Sequence, residues 1–302
     1  MSIIRLIVLG TLAALATGTA AAAAAPAAAR AVTDDFGRTV RVRAPPLRIV
    51  SLAPGATEML FAAGAGDEVI ATVEYSDEPA AARAVPRIGD AATIDMERLV
   101  ALEPDVVIAW PAGGNPAQRA KIAALGIPLY QQQVVRLAEL PAALRRLGLL
   151  AGTQAAAEAA AQGLERRLAA LGRTYGAGAG RHPTVLLQVW NRPVYTIGGR
   201  HLMSDALALC GARNVFADLS EPAPLVDTEA IIARNPDIIV AASPPGESAA
   251  WVADWQRFGS LAAVRSGRVV GFEDQGLSRL GPSVIDATEH LCRTLARLSR
   301  GS

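Results

Sequence analysis

Residues 95–109 read DMERLVALEPDVVIA, and residues 227–241 read DTEAIIARNPDIIVA. Laid together without a gap, the copies share Asp, Glu, Ala, Pro, Asp and Ala at the same steps and elsewhere mostly exchange one aliphatic residue for another. Each copy opens on a helix-capping Asp, Asp95 or Asp227, followed by the apolar residues of an amphipathic helix, Leu99 and Leu102 or Ile231 and Ile232. Pro104 or Pro236 ends the helix, and an aliphatic run follows. The run Val106, Val107, Ile108 has no polar alternation, as expected of a parallel strand buried on both faces. A helix and a parallel strand, stated twice, predict an α/β fold of two lobes built alike.

Length and composition agree. A chain of 302 residues with 51% hydrophobic content can build a core in each of two lobes. A net charge of +1 with scattered basic residues argues against nucleic acid as a partner, since that affinity rests on clustered Lys and Arg neutralising phosphates.

Residues 1–30 read as an export signal. Arg5, the apolar run 6–16, Thr17, Gly18, Thr19 and an alanine tract supply its three regions. The apolar run is shorter than the ~20 residues that span a bilayer. No cysteine follows it, so a soluble periplasmic protein without a lipid anchor is expected. An oxidising compartment permits a disulfide between Cys210 and Cys292, the only two cysteines, while two buried free thiols are the alternative.

A hairpin turned at Phe36 and Gly37 precedes the expected first lobe, residues 44–150, which runs through the strand 49–52, a helix stopped by Gly64, and the strand 69–71. Tyr75 and Trp110 follow strands. In open α/β sheets ligands bind outside the carboxyl ends of the strands, so both are candidate ligand contacts. From residue 137 the pattern is helical and alanine-rich; Pro141 and Gly152 are read as breaks, and Thr153 as the cap of a linker helix within residues 151–175. One long helix between lobes would act as a strut. The glycine-rich run 176–180 lacks the Lys and Ser/Thr of a phosphate loop. In the expected second lobe, residues 182–302, Tyr195 follows the first strand, and Asp274 and Arg279 follow the last. Trp251 and Trp255 lie on a helical segment.

An enzyme is not expected. The chain has no G-x-S-x-G and no H-E-x-x-H, and His182, His201 and His290 lie far apart in sequence. A metal receptor would need several converging His, Asp or Glu, and His201 is the only histidine placed near the expected cleft.

The pieces RIVSLAPGATEMLFAAGAG, VEYSDEP, IDMERLVALEPDVVIAW with GGNP, TIGGRHLMSDALALCGARNVFADL and HLCRTL resemble the periplasmic cobalamin-binding proteins of ABC importers, within the broader family of two-lobed, helix-linked binding proteins. The resemblance covers nearly all of the exported chain. It implies Rossmann-like lobes with the ligand cleft between them, no cofactor, and a corrinoid cargo, most simply cobalamin, held flat without a protein ligand to cobalt. It implies Tyr75, Trp110, Tyr195, Asp274 and Arg279 as ligand contacts and a Cys210–Cys292 disulfide. It also implies a monomer that docks through Glu97 and Glu229 on an ABC permease dimer in the inner membrane. Haem or a ferric siderophore is the alternative cargo, with Tyr75, Tyr195 or His201 as possible iron ligands. The chain departs from the family at Ala92 and Ala223, where further cleft tryptophans are frequent, and in a longer loop at 274–279.

Overall fold

The computed structural model describes residues 29–45, 47–90, 92–111, 114–176, 182–279 and 281–300. The expected export segment up to residue 28, the glycine run from 177 onward, Leu280 and the last two residues lie outside the described residues.

An antiparallel hairpin of β1 (Arg30–Thr33) and β2 (Thr39–Val42) opens the chain, and Gly37 takes the left-handed turn position with φ 76°. The first lobe then winds through β3 (Ile49–Ser51), α1 (Pro54–Ala62), β4 (Val69–Ala71), α2 (Met96–Ala101), β5 (Val106–Ala109), α3 (Pro116–Ala124) and β6 (Leu129–Gln131). Next come α4 (Leu140–Ala151) and α5 (Gln154–Tyr175). The second lobe contains β7 (Thr184–Gln188), α6 (Leu202–Leu209), β8 (Arg213–Asn214), α7 (Thr228–Arg234) and β9 (Ile238–Ala242). It closes with α8 (Ser248–Trp255), α9 (Ala262–Arg265), β10 (Val269–Phe272), α10 (Gly276–Arg279) and α11 (Val284–Arg300).

The two repeat copies lie in separate four-stranded sheets, ordered β4-β3-β5-β6 and β8-β7-β9-β10, and every pairing in both is parallel. Counted from its own first strand, each sheet has the order second, first, third, fourth. Winding therefore reverses between β3 and β5 and between β7 and β9, which opens a crevice at the carboxyl ends of those strands.

The repeat is structural as well as sequential. Asp95 and Asp227 accept hydrogen bonds from the backbone N–H of Arg98 and Ala230, each three residues on. Leu99 and Ile231 are fully buried. Each helix is closed by a left-handed residue just before its proline, Glu103 with φ 44° and Asn235 with φ 43°, a common helix ending that the proline then keeps from continuing. Asp105 exchanges hydrogen bonds with the backbone of Arg48, and Asp237 does the same with Thr184. The third strand of each sheet is thereby pinned to the start of the first.

One apolar cluster runs through both lobes, from Ile49 and Leu60 by way of Leu144, Ala157 and Ala161 to Val185, Leu207 and Leu291. Helices α4 and α5 approach closely along small residues; a Cβ on Gly148 would stand 2.2 Å from that of Ala157. The 22-residue α5 is ~33 Å long at the α-helical rise. Two expected details are corrected here. Pro141 does not break a helix but sits in the first turn of α4, where its missing N–H costs nothing. Thr153 does not cap α5; its hydroxyl donates to the carbonyl of Ala63 at 2.6 Å, fastening the strut to the end of α1. Gly152 does end α4, with φ 81°. Cys210, at the end of α6, is disulfide-bonded to Cys292 in α11 with a Cα–Cα distance of 4.7 Å.

Candidate ligand cleft

Parallel strands send all their carboxyl ends to one edge, and the loops there build the site. After β3 come Ala53, Pro54, Gly55 and Ala56; after β4, Tyr75 and Asp77; after β5, Trp110; after β6, Gln132 and Val134. The segment after β10 in the other lobe adds Gln275, Ser278 and Arg279, and together these residues enclose one cavity. The start of α1 faces it, with no side chain capping that end, so the positive end of the helix dipole points inward. Arg279, whose charge also acts on Glu58, adds positive charge on the opposite wall.

Tyr75 is held in the left-handed region, φ 65°, with 76% of its surface exposed. Such a conformation costs a non-glycine residue roughly 1 kcal/mol or more, so the surroundings must enforce it. A run of buried hydroxyls anchors the next residue, Ser76: Thr57 donates to Ser51 at 2.9 Å and lies 2.8 Å from the Thr72 hydroxyl, and Thr72 donates to Ser76 at 2.9 Å. Arg87 donates to the carbonyl of Ser76 at 2.9 Å and pairs with Asp77 at 3.1 Å, bracing the same loop. Trp110 is half-buried against the core and presents its remaining surface to the cavity.

A second cavity lies against the other lobe. Its walls are Val189 and Trp190 after β7, Met203 of α6, Ala242 at the end of β9 with Ser243 and Pro244 after it, and Phe272, Asp274 and Leu277. Gln275 and Ser278 line both cavities, so the two adjoin; the first is walled by both lobes and the second by the second lobe alone, and they are treated as the two halves of the cleft.

Tyr75, Trp110 and Arg279 thus come together in one cavity. Asp274 lies in the other half, where its carboxylate accepts from the Gly276 N–H at 3.1 Å and pairs with His290 at 3.2 Å. Tyr195 lines neither half. Its backbone is bridged to Trp190 and to Leu225, which fixes it beside the strand end. Trp190, 54% exposed and directly following β7 as Trp110 follows β5, is the aromatic that this lobe presents; its place in the sequence was the available signal. His201 is not a cleft residue. Its Nδ1 accepts from the Met203 N–H and caps α6, and burial lowers its pKa to about 4. Among the described residues no cluster of three or more His, Cys, Asp or Glu could hold a metal ion. Glu97 and Glu229 lie outside the cleft, both exposed, in the first turns of α2 and α7.

At the floor between the lobes, Glu58 of α1 is buried. Burial raises its pKa, and hydrogen bonds from Ser283 oppose that shift.

Comparison with known proteins agrees with this architecture. A curated vitamin B12-binding protein of Vibrio cholerae serotype O1 is 34% identical over 252 residues, covering 83% of this chain and 90% of the relative. The crystal structure of the periplasmic vitamin B12 binding protein of Vibrio cholerae superposes with a TM-score of 0.76 at 32% identity, covering 84% of this chain and 98% of that one. A periplasmic heme-binding protein from Roseiflexus sp. RS-1 superposes with a TM-score of 0.70 at 25% identity, over 84% and 99% of the two chains. Residues 49–275 match the family model described as periplasmic binding protein, and with relatives this similar along most of its length the chain belongs to that family.

Proposed function

We propose that this protein captures a corrinoid, cobalamin first among them, in the cleft between its lobes and delivers it to an ABC importer from the periplasm. The observation that carries this reading is the meeting of Tyr75 and Trp110 in one cavity, with Arg279 facing them from the other lobe. A large flat ligand gains most of its affinity from buried apolar area, while a few polar groups fix its orientation. Similarity to vitamin B12-binding relatives at 34% identity supports the choice of ligand. The protein acts by binding, with no cofactor and no chemistry of its own, as a monomer that meets a permease dimer through Glu97 and Glu229. Haem is the second reading, favoured by one observation: the Tyr75 side chain, 76% exposed, stands at the cleft as a potential iron ligand.

Titration of the purified protein with cyanocobalamin and, separately, with haem tests the reading. Quenching of tryptophan emission that saturates at one cyanocobalamin per chain is expected. A shifted haem absorption band, with no response to cyanocobalamin, would overturn it in favour of haem.

A further inference from the structure

Two residues that line the cleft each carry a buried side-chain atom with no hydrogen-bond partner among the described residues, Gln132 Oε1 and Ser243 Oγ. Gln132 is 5% exposed and Ser243 2%. They belong to opposite lobes, and each stands immediately after a strand, β6 or β9. Their backbones are well placed. The Gln132 N–H donates to the Ala109 carbonyl at 2.8 Å and the Ser243 N–H to the Phe272 carbonyl at 3.1 Å, while the Ser243 carbonyl accepts from Gln275 at 3.2 Å. Only the side-chain atoms are left over. The other orphaned side-chain atoms, on Glu68 and Gln118, line neither half of the cleft.

A buried polar atom without a partner destabilises the fold, so an apolar residue in its place would serve the free protein as well or better. Orphans on both walls of a ligand cleft are instead suited to a ligand that completes them. We propose that Gln132 and Ser243 form a polar pair, one from each lobe, that reads hydrogen-bonding groups on the rim of the ligand, and that those groups are primary carboxamides. This rests on the reading of the cleft as a corrinoid site. A corrin ring is edged by carboxamides, each of which both donates and accepts. Gln132 meets such a group through Oε1 or, after its amide turns over, through Nε2; the Ser243 hydroxyl serves in either sense. The aromatic residues hold the flat face, and this pair sets how the ring is turned within the cleft.

The test uses Gln132→Met, Ser243→Ala and the double variant of the full chain, with cyanocobalamin as probe and titration calorimetry and apo-state melting as readouts. Each single variant is expected to bind about tenfold more weakly and the double variant about a hundredfold, the loss of one hydrogen bond at each site. Apo-state melting is expected to stay constant or rise, because an orphaned polar atom has been removed. Affinities within about twofold of wild type would overturn the pair while leaving the corrinoid reading intact. A marked fall in apo melting would assign the two side chains to the fold instead. Wild-type protein that fails to bind cyanocobalamin would overturn both the pair and the reading beneath it.

Discussion

The carboxylate of Glu58 accepts hydrogen bonds from the backbone N–H and the hydroxyl of Ser283, each at 3.0 Å, across a sequence separation of 225. It joins α1 of the first lobe to the start of α11 in the second. A Cβ on Gly281 would stand 2.7 Å from Glu58 Oε2, so glycine is required for that approach. Beside it, the Leu137 N–H donates to Asp205 at 2.7 Å, a further bond between the chain before α4 and α6 of the second lobe.

Glu58 gives a pH prediction. Burial raises its folded pKa above the ordinary 4.5 despite the Ser283 bonds, so between those two values the folded state holds a proton that the unfolded chain has lost. Stability from this group is present at low pH and declines as pH rises through the raised value. Urea unfolding from about pH 4 to about pH 7 should show Glu58→Gln gaining stability relative to wild type as pH increases. Parallel curves for the two proteins would show that Glu58 titrates normally.

The disulfide between Cys210 and Cys292 closes a loop of 82 residues and holds α6 to α11. Thiol titration of unfolded, unreduced protein is expected to find no free thiol. Replacing both cysteines with alanine should lower stability by roughly 2–4 kcal/mol in denaturant melts. A loss within error would show that the packing of α6 on α11 suffices without the bond.

For the ligand wall, Trp110→Ala is expected to weaken corrinoid binding by ~2 kcal/mol or more, as for a buried aromatic anchor. Trp190→Ala should also weaken it, whereas Tyr195→Phe should leave it unchanged, because Tyr195 lines neither half of the cleft. Calorimetry on the three variants checks the order. Equal losses for Tyr195→Phe and Trp190→Ala would show that the bound cleft differs from the one described.

Glu97 and Glu229 occupy the same step of the two repeat copies and are exposed in the first helical turn. A carboxylate is favoured there by the helix dipole, which by itself accounts for both residues. Placed equivalently on two similar lobes, they also suit a two-fold partner with one basic cluster per subunit, since such pairs set orientation and encounter rate. The double variant Glu97→Ala, Glu229→Ala should lose salt-sensitive docking and transport in reconstituted vesicles while keeping its ligand affinity. Normal delivery would leave them as helix-start residues.

Much of the fold was legible in the sequence because its signals act over a few residues. Asp95 and Asp227 cap the nearest N–H groups, Pro104 and Pro236 bar a helical conformation one residue earlier, and aliphatic runs demand burial on both faces. A duplicated stretch then implies a duplicated sheet, and parallel strands gather Tyr75 and Trp110 at one edge wherever the rest of the chain goes. Chemistry alone limited two cysteines, in a chain expected to be exported, to a short set of outcomes.

What tertiary structure decided was which way a side chain points and what it meets at long range. Tyr195 and Trp190 are both strand-end aromatics in the sequence, but of the two only Trp190 lines either of the described cavities. Asp274 stays on the cleft wall, and only the fold shows that α11 brings His290 to its carboxylate there. Thr153 stands where a cap is expected, and the proximity of α1 gave its hydroxyl the Ala63 carbonyl instead. Gln132, Ser243 and the bond between Glu58 and Ser283 carry no local signature. Their roles depend on the packing of segments far apart in the chain, where a polar atom is satisfied or stranded according to which distant residue arrives beside it.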